Sequence, residues 1–143
     1  MKTADQNLVL LRYRPWFYGA AIYNFLWGIV NILFPNLFFT VIGMPHPVPM
    51  AIWQVVGMFV MVLAPVYWWM GRRPYEHRHF ILIALLGKIF GPIGFVGSVL
   101  TGSLPLAFGW TILANDLIWW PAFSMFLIEV IRMSGLLPLL RGE

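Results

Sequence analysis

Residues 50–100 read MAIWQVVGMFVMVLAPVYWWM, then GRRPYEHRH, then FILIALLGKIFGPIGFVGSVL. Two apolar runs flank a segment carrying Arg72, Arg73, Glu76, His77, Arg78 and His79. A helix rises 1.5 Å per residue, so about 20 apolar residues cross the roughly 30 Å hydrocarbon core of a bilayer. Both runs reach that length. They read as spans over 50–70 and 80–100, joined by a charged connection that stays in water.

The same pattern continues outward in both directions. A third apolar run covers 15–34, with Pro15 in a first helical turn, where its missing N–H costs nothing. Pro35 and Asn36 close it. Residues 37–43 are apolar but too short to cross, and are expected along the far interface. Met44-Pro45-His46-Pro47-Val48-Pro49 cannot be helical, because its prolines remove donors and restrict their neighbours. After span 80–100, Thr101-Gly102-Ser103-Leu104-Pro105 makes a tight turn into a last apolar run, 106–130. The N-terminal run Leu8-Val9-Leu10-Leu11, beside Arg12 and Arg14, reads either as a short interfacial helix or as a partly ordered tail.

The basic residues test this division. Lys2, Arg12 and Arg14 precede the first span. Arg72, Arg73 and Arg78 lie between the second and third. Arg132 and Arg141 follow the fourth. The other two connections hold no Lys or Arg. Four spans put all three basic segments on one side, which the positive-inside rule makes cytoplasmic. The expected architecture is an all-α integral membrane four-helix bundle, a single domain over 1–143, with both ends inside. Aromatic clusters at Trp16-Phe17-Tyr18 and Tyr67-Trp68-Trp69, with Trp110 opposite, are expected at headgroup level.

Composition narrows the functional classes. The chain of 143 residues is 61% hydrophobic and 10% charged, against about a quarter charged in ordinary soluble domains. Four spans leave no room for a soluble catalytic domain. The net charge of +4 is explained by topology, so nucleic acid is not an expected partner. Cysteine is absent, which removes disulfides and thiol catalysis. The first apolar run exceeds a signal-peptide core, and no small-residue cleavage site follows it. No internal repeat is evident.

Polar residues inside the spans need a reason, because helices in lipid already satisfy their own backbone. They are Asn24, Asn31, Gln54, Lys88, Asn115, Asp116 and Glu129. Lys88 is about 12 Å, Asn24 about 14 Å and Asp116 about 21 Å from the cytoplasmic edge by helical rise. An unpaired charge at such depth costs at least about 2.5–3.5 kcal/mol. Lys88 is therefore expected to meet Asp116, directly or through Asn115, or to snorkel toward the cytoplasm. Glu129 is expected to pair with Arg132. Asn24, Gly28 and Asn31 share a helical face, as do Asn115, Trp119, Ala122 and Phe126. Gly87, Gly91, Gly94 and Ser98 form a small-residue stripe suited to close helix packing. Pro92 deprives the Lys88 carbonyl of its helical donor, and Pro65 and Pro121 do the same for Met61 and Leu117. The candidate ligand-binding or polar cluster is Lys88, Asp116, Asn115, Asn24 and Trp119, and no catalytic residue is assigned. His77 and His79 lie on the opposite side from His46, no histidine lies in a span, and no metal site, haem site or Ser/His/Asp triad is expected.

Gly87-Lys88, Gly91-Pro92-Ile93-Gly94-Phe95 and Asn115-Asp116-x-x-Trp119-Trp120-Pro121-x-Phe123 resemble motifs of small bacterial four-span membrane proteins with a DoxX-like layout. Tyr23-Asn24-x-x-Trp27-Gly28, followed by Pro35 and Gly43, fits as well. The resemblance covers most of the chain and implies a fold and a bacterial cytoplasmic membrane, not an activity. Some such proteins carry an alkyl hydroperoxide reductase name. With no cysteine, peroxiredoxin-type chemistry is excluded here.

Three functional readings follow from the sequence. One is a non-enzymatic accessory subunit of a membrane complex or homo-oligomer, or a binder of an apolar molecule such as a quinone, pigment or lipid. The second is a small membrane enzyme on a lipid-soluble substrate, with Lys88, Asp116, Asn115 and Asn24 supplying acid, base and polarising groups. The third is an oligomeric proton or ion path. No particular cofactor is indicated.

Overall fold

The computed structural model describes residues 8–47 and 49–142. Lys2, with the rest of 1–7, and Val48 lie outside the described residues. Among the described residues the structure is helical and contains no strand. Four helices are long and apolar enough to cross a membrane: Arg14–Leu33, Ala51–Arg72, Phe80–Leu100 and Leu106–Ser134.

Prolines decide how continuous these helices are. Helix α1 (Arg14–Leu33) is unbroken and carries Pro15 in its first turn. A short helix α2 (Pro35–Ile42) follows and ends on Gly43 in the left-handed region. The second long helix divides into α3 (Ala51–Val62) and α4 (Ala64–Arg72), with a turn at Leu63 and Pro65 in the first turn of α4. Helix α5 (Phe80–Leu100) runs straight through Pro92. The fourth divides into α6 (Gly109–Asn115), a 3-10 turn over Leu117–Trp119, and α7 (Trp120–Ser134) with Pro121 in its first turn. A proline ring crowds the carbonyl four residues back, so the turn before Pro121 tightens to 3-10. A final helix, α8 (Leu136–Arg141), follows Gly135.

Helix α1 packs along both α3 and α4, and α5 pairs with α7. The closest crossing joins α1 to α3. A Cβ on Gly28 would sit 2.6 Å from Met61 Cβ and 2.7 Å from the Gly57 carbonyl, so only glycine fits. The stripe on α5 behaves differently from expectation. Gly87 and Gly94 face open space, and only Gly91 is approached, by the Asp116 side chain. The small residues that bring backbones together are thus Gly28 and Gly57.

One end of the bundle holds a core of Leu10, Tyr13, Phe17, Tyr67, Met70, Ile81, Phe126 and Leu139. It draws together the N-terminal segment, the ends of α4 and α5, and α8. The residue 8–11 turn is helical, and Leu10 is fully buried in protein. Two aromatic expectations change here. Phe17 and Tyr67 are core residues, whereas Trp16, Trp68 and Trp69 remain exposed. Glu129 pairs with Arg12, not with Arg132. Tyr13 packs edge-on against Phe126, one turn before Glu129, and this docking delivers Arg12 to the carboxylate. At the other end, Trp53 stacks on Phe38 and meets Trp27, Phe39 and Phe108 edge-on.

Candidate functional site

Lys88 and Asp116 lie at the centre of the bundle, each with a side chain only 4% exposed, and their Nζ and Oδ1 atoms are 3.8 Å apart. Prolines on two helices create this meeting. The 3-10 turn lets the Trp119 amide donate to the Asp116 carbonyl at 3.2 Å. In a regular helix that amide would serve Asn115. The Asn115 carbonyl is therefore left free, and the Lys88 ammonium donates to it. On α5, Pro92 leaves the Lys88 carbonyl without its donor, and the Trp120 indole supplies one at 3.0 Å. Lys88 is thus joined to the fourth apolar helix twice, once through its side chain and once through its backbone.

The other candidates surround this pair. Asn115 donates from Nδ2 to Asp116 Oδ1 at 3.2 Å. Asp116 Oδ2 rests against Gly91, where any Cβ would collide with it. Trp119 donates to the Ala114 carbonyl at 3.2 Å, and its ring touches those of Trp16, Tyr23 and Phe123. Asn24 is fully buried, yet neither its Oδ1 nor its Nδ2 has a hydrogen-bond partner.

Two residues belong to the cluster that the sequence assigned elsewhere or passed over. Tyr67 looked like an interfacial anchor from its place beside Trp68 and Trp69. It is instead fully buried, its ring centre is 5.9 Å from Lys88 Nζ, and its hydroxyl is unpartnered. The Asn24 amide is its polar neighbour, and the Asp116 carboxylate is within electrostatic reach of it. The signal in the sequence is spacing. Ala64, Tyr67 and Gly71 share one face of α4, and all are buried. Trp120 is the second, and its role follows from the carbonyl that Pro92 frees.

Tyr23 stands between the cluster and a surface groove. Tyr23 is within electrostatic reach of Asp116. It also lines a groove of about 360 Å³, with Leu26, Trp27, Val30, Asn31 and Phe38. That volume is within the range of about 300–1,000 Å³ typical of small-molecule sites.

Asn31 and Gln54, the polar residues nearer the other end, have different surroundings. Asn31 Nδ2 donates to the Trp27 carbonyl at 2.6 Å, and its Oδ1 accepts from the Trp53 indole at 2.6 Å. Gln54 donates to the Ile32 carbonyl at 2.9 Å. His77 and His79 lie at the basic end, where His77 stacks on Phe80. Burial, then the neighbouring His77 and Arg78, pushes the His79 imidazole below its ordinary value. Among the described residues no three of His, Asp and Glu gather as metal ligands would.

No family model matches the chain, and neither a curated protein nor a solved structure matches it.

Proposed function

We propose that the chain is a multi-pass protein of the bacterial cytoplasmic membrane, both ends inside, that binds an apolar molecule with a hydrogen-bonding head group. Four apolar helices support insertion. Orientation rests on Arg12, Arg14, Arg72, Arg73, Arg78, Arg132 and Arg141, all in segments expected inside. The DoxX-like motifs agree with this topology.

The observation that carries the ligand reading is the pair of unfilled groups at Asn24 and Tyr67. Buried polar atoms in native proteins nearly always find a partner, and an orphan calls for an explanation. Here two fully buried residues, the amide of one beside the hydroxyl of the other, leave both groups short of a well-formed hydrogen bond next to an ion pair. A ligand carbonyl or hydroxyl supplies what they lack. A quinone fits this chemistry, since its carbonyls accept from Asn24 Nδ2, the Tyr67 hydroxyl or Lys88. Its apolar part would lie in the groove that opens at Tyr23. The protein then acts as a non-enzymatic carrier or accessory subunit, and the open Gly87–Gly94 face of α5 suits close approach by a partner helix.

Purification in mild detergent tests this reading. The expected result is one co-purifying apolar molecule, or saturable quenching of tryptophan fluorescence by an added quinone, lost in Asn24→Leu. A ligand-free monomer that no quinone quenches would falsify it. A second reading draws on the Lys88–Asp116 pair: an enzyme that uses it for proton transfer on a lipid-soluble substrate. Lys88→Met or Asp116→Asn should then abolish turnover in a protein that remains folded.

A further inference from the structure

A second groove, away from the polar cluster, runs between α1 and α4. It has a volume of about 430 Å³ and is walled by Ala21, Ile22, Phe25, Ala64, Pro65 and Trp68. Its floor is low because Ala21 and Ala64 are small and buried, while Ile22 and Trp68 stand exposed at its rims. The break before Pro65 falls at this level, where α3 gives way to α4.

The mouth of the groove is cationic. On α1, Arg14, Tyr18 and Ile22 follow at intervals of four, so they line one face. On α4, Pro65, Trp68 and Arg72 follow at intervals of three and four and also share a face. Tyr18 packs against Trp68 with ring centres 4.9 Å apart. Arg14 donates to the Tyr18 hydroxyl at 3.2 Å and to the Gly71 carbonyl at 2.9 Å. These neutral partners hold the guanidinium in place without cancelling its charge. Three other cations are neutralised, Arg12 by Glu129, Arg73 by Glu76 and Lys88 by Asp116, while Arg132 on α7 and Arg141 on α8 have no carboxylate within ion-pair distance among the described residues. Among the described residues neither Arg14 nor Arg72 has a carboxylate within ion-pair distance. Arg14 and Arg72, with no carboxylate partner among the described residues, thus lie about one turn beyond the Tyr18–Trp68 contact at the end of the apolar trough.

We infer that this groove holds one anionic phospholipid of the cytoplasmic leaflet, an acyl chain along Ala21 and Ala64 and the phosphate between Arg14 and Arg72. An apolar slot capped by positive charge matches a lipid and not a soluble anion, which would leave the trough unfilled. Arginine suits the role because its planar fork takes two phosphate oxygens at once. Basic pockets between helices on the cytoplasmic side are the expected place for such head groups. The inference rests on the membrane topology proposed above, and is independent of any ligand at Asn24.

The full-length protein, delipidated in mild detergent, is titrated with dioleoyl phosphatidylglycerol or dioleoyl phosphatidylcholine, and native mass spectrometry counts bound lipid. One phosphatidylglycerol should bind about tenfold more tightly than phosphatidylcholine. Arg72→Gln, an exposed site whose change leaves the Arg14–Gly71 tie intact, should lose much of that preference. Arg14→Gln with Arg72→Gln should abolish it. Ile22→Trp, which fills the trough from an exposed rim, should weaken both lipids. Equal affinity of the unaltered protein for the two lipids would overturn the inference, as would unchanged binding in Ile22→Trp. Glycerophosphoglycerol carries the head group without chains. If it bound as tightly as the lipid, the site would be an anion site alone and the acyl-chain assignment would fall.

Discussion

Asn24 and Asn31 lie two turns apart on one face of α1, both buried, and they are used in opposite ways. Asn31 spends its amide on a backbone carbonyl and its carbonyl on the Trp53 indole. It sits where Gly28 and Gly57 bring α1 and α3 into backbone contact, and Gln54 adds a third polar tie there. Asn24 has no well-formed hydrogen bond; its polar neighbour is the Tyr67 hydroxyl, equally without a well-formed one, beside the Lys88–Asp116 pair. The same residue type on the same helix is a closed fastening in one place and an open valence in the other. A buried polar group closed on all sides is accounted for by folding alone. One left open, beside charges already costly to bury, is where a ligand has something to gain.

The largest effect should come from dividing the ion pair. Asp116→Leu leaves the Lys88 ammonium buried with the Asn115 carbonyl as its remaining polar partner. Removing one member of a buried pair typically costs about 3–5 kcal/mol. The double variant Lys88→Met with Asp116→Leu should regain most of that loss, because no uncompensated charge remains. Thermal and denaturant unfolding in one mild detergent measures both. A double variant as unstable as the single would mean that these positions hold the fold by more than their charges, and the contrast with the Asn31 clasp would weaken.

Next in size is the test of which glycines bring helices together. Gly28→Ala forces a methyl against Met61 and the Gly57 carbonyl, and overpacking of this kind costs about 1–3 kcal/mol. Gly94→Ala meets nothing within 4 Å, so it should be neutral, or gain up to about 1 kcal/mol from helix propensity. Comparable losses at both sites in a purified monomer would contradict the packing described for α1 and α3. A loss at Gly94 seen only in an assembled form would instead mark that face as one a partner covers.

These expectations show how far the sequence reaches. Length and hydropathy define the four apolar helices, because twenty apolar residues in succession have few other uses. The meeting of Lys88 and Asp116 is readable from the cost of leaving either alone, and the free carbonyl at Lys88 is readable from Pro92. What a linear pattern lacks is rotation about each helix axis. Tyr67 immediately precedes two exposed tryptophans, so its position along the chain suggests the interface while its facing buries it. The stripe on α5 has the spacing of a packing face, but which glycines are approached depends on which helices become neighbours. Glu129 has an arginine three residues on, yet it pairs with Arg12, which arrives only because the N-terminal segment folds over the end of α7. The carbonyl of Asn115 is available because Pro121 tightens the turn ahead of it, a consequence visible only once the backbone is traced.

The smallest effect on stability is the most informative about function. Leucine has the branching of asparagine with a somewhat larger volume, so Asn31→Leu removes the hydrogen bonds with little change of outline. It leaves the Trp53 indole N–H unpartnered, while the Trp27 carbonyl keeps the Asn31 backbone N–H of the helix. Polar ties between membrane helices are worth about 0.6 kcal/mol on average and up to about 1.7 kcal/mol, so a loss in that range is expected. Asn24→Leu removes no well-formed hydrogen bond, only the approach to the Tyr67 hydroxyl, and replaces two poorly satisfied polar atoms with apolar ones. Stability should hold or rise, since exchanging an unsatisfied buried group for an apolar group of the same branching removes a desolvation cost that offsets the small increase in volume. Binding should move the other way: Asn24→Leu should lose the ligand while melting no lower than the unaltered protein, and Asn31→Leu should melt lower while still binding. A residue that stabilises nothing in the empty protein, yet is needed for occupancy, has the signature of a ligand contact. If Asn24→Leu instead melted as low as Asn31→Leu, Asn24 would hold a partner in the folded protein after all, and the difference between the two asparagines would vanish.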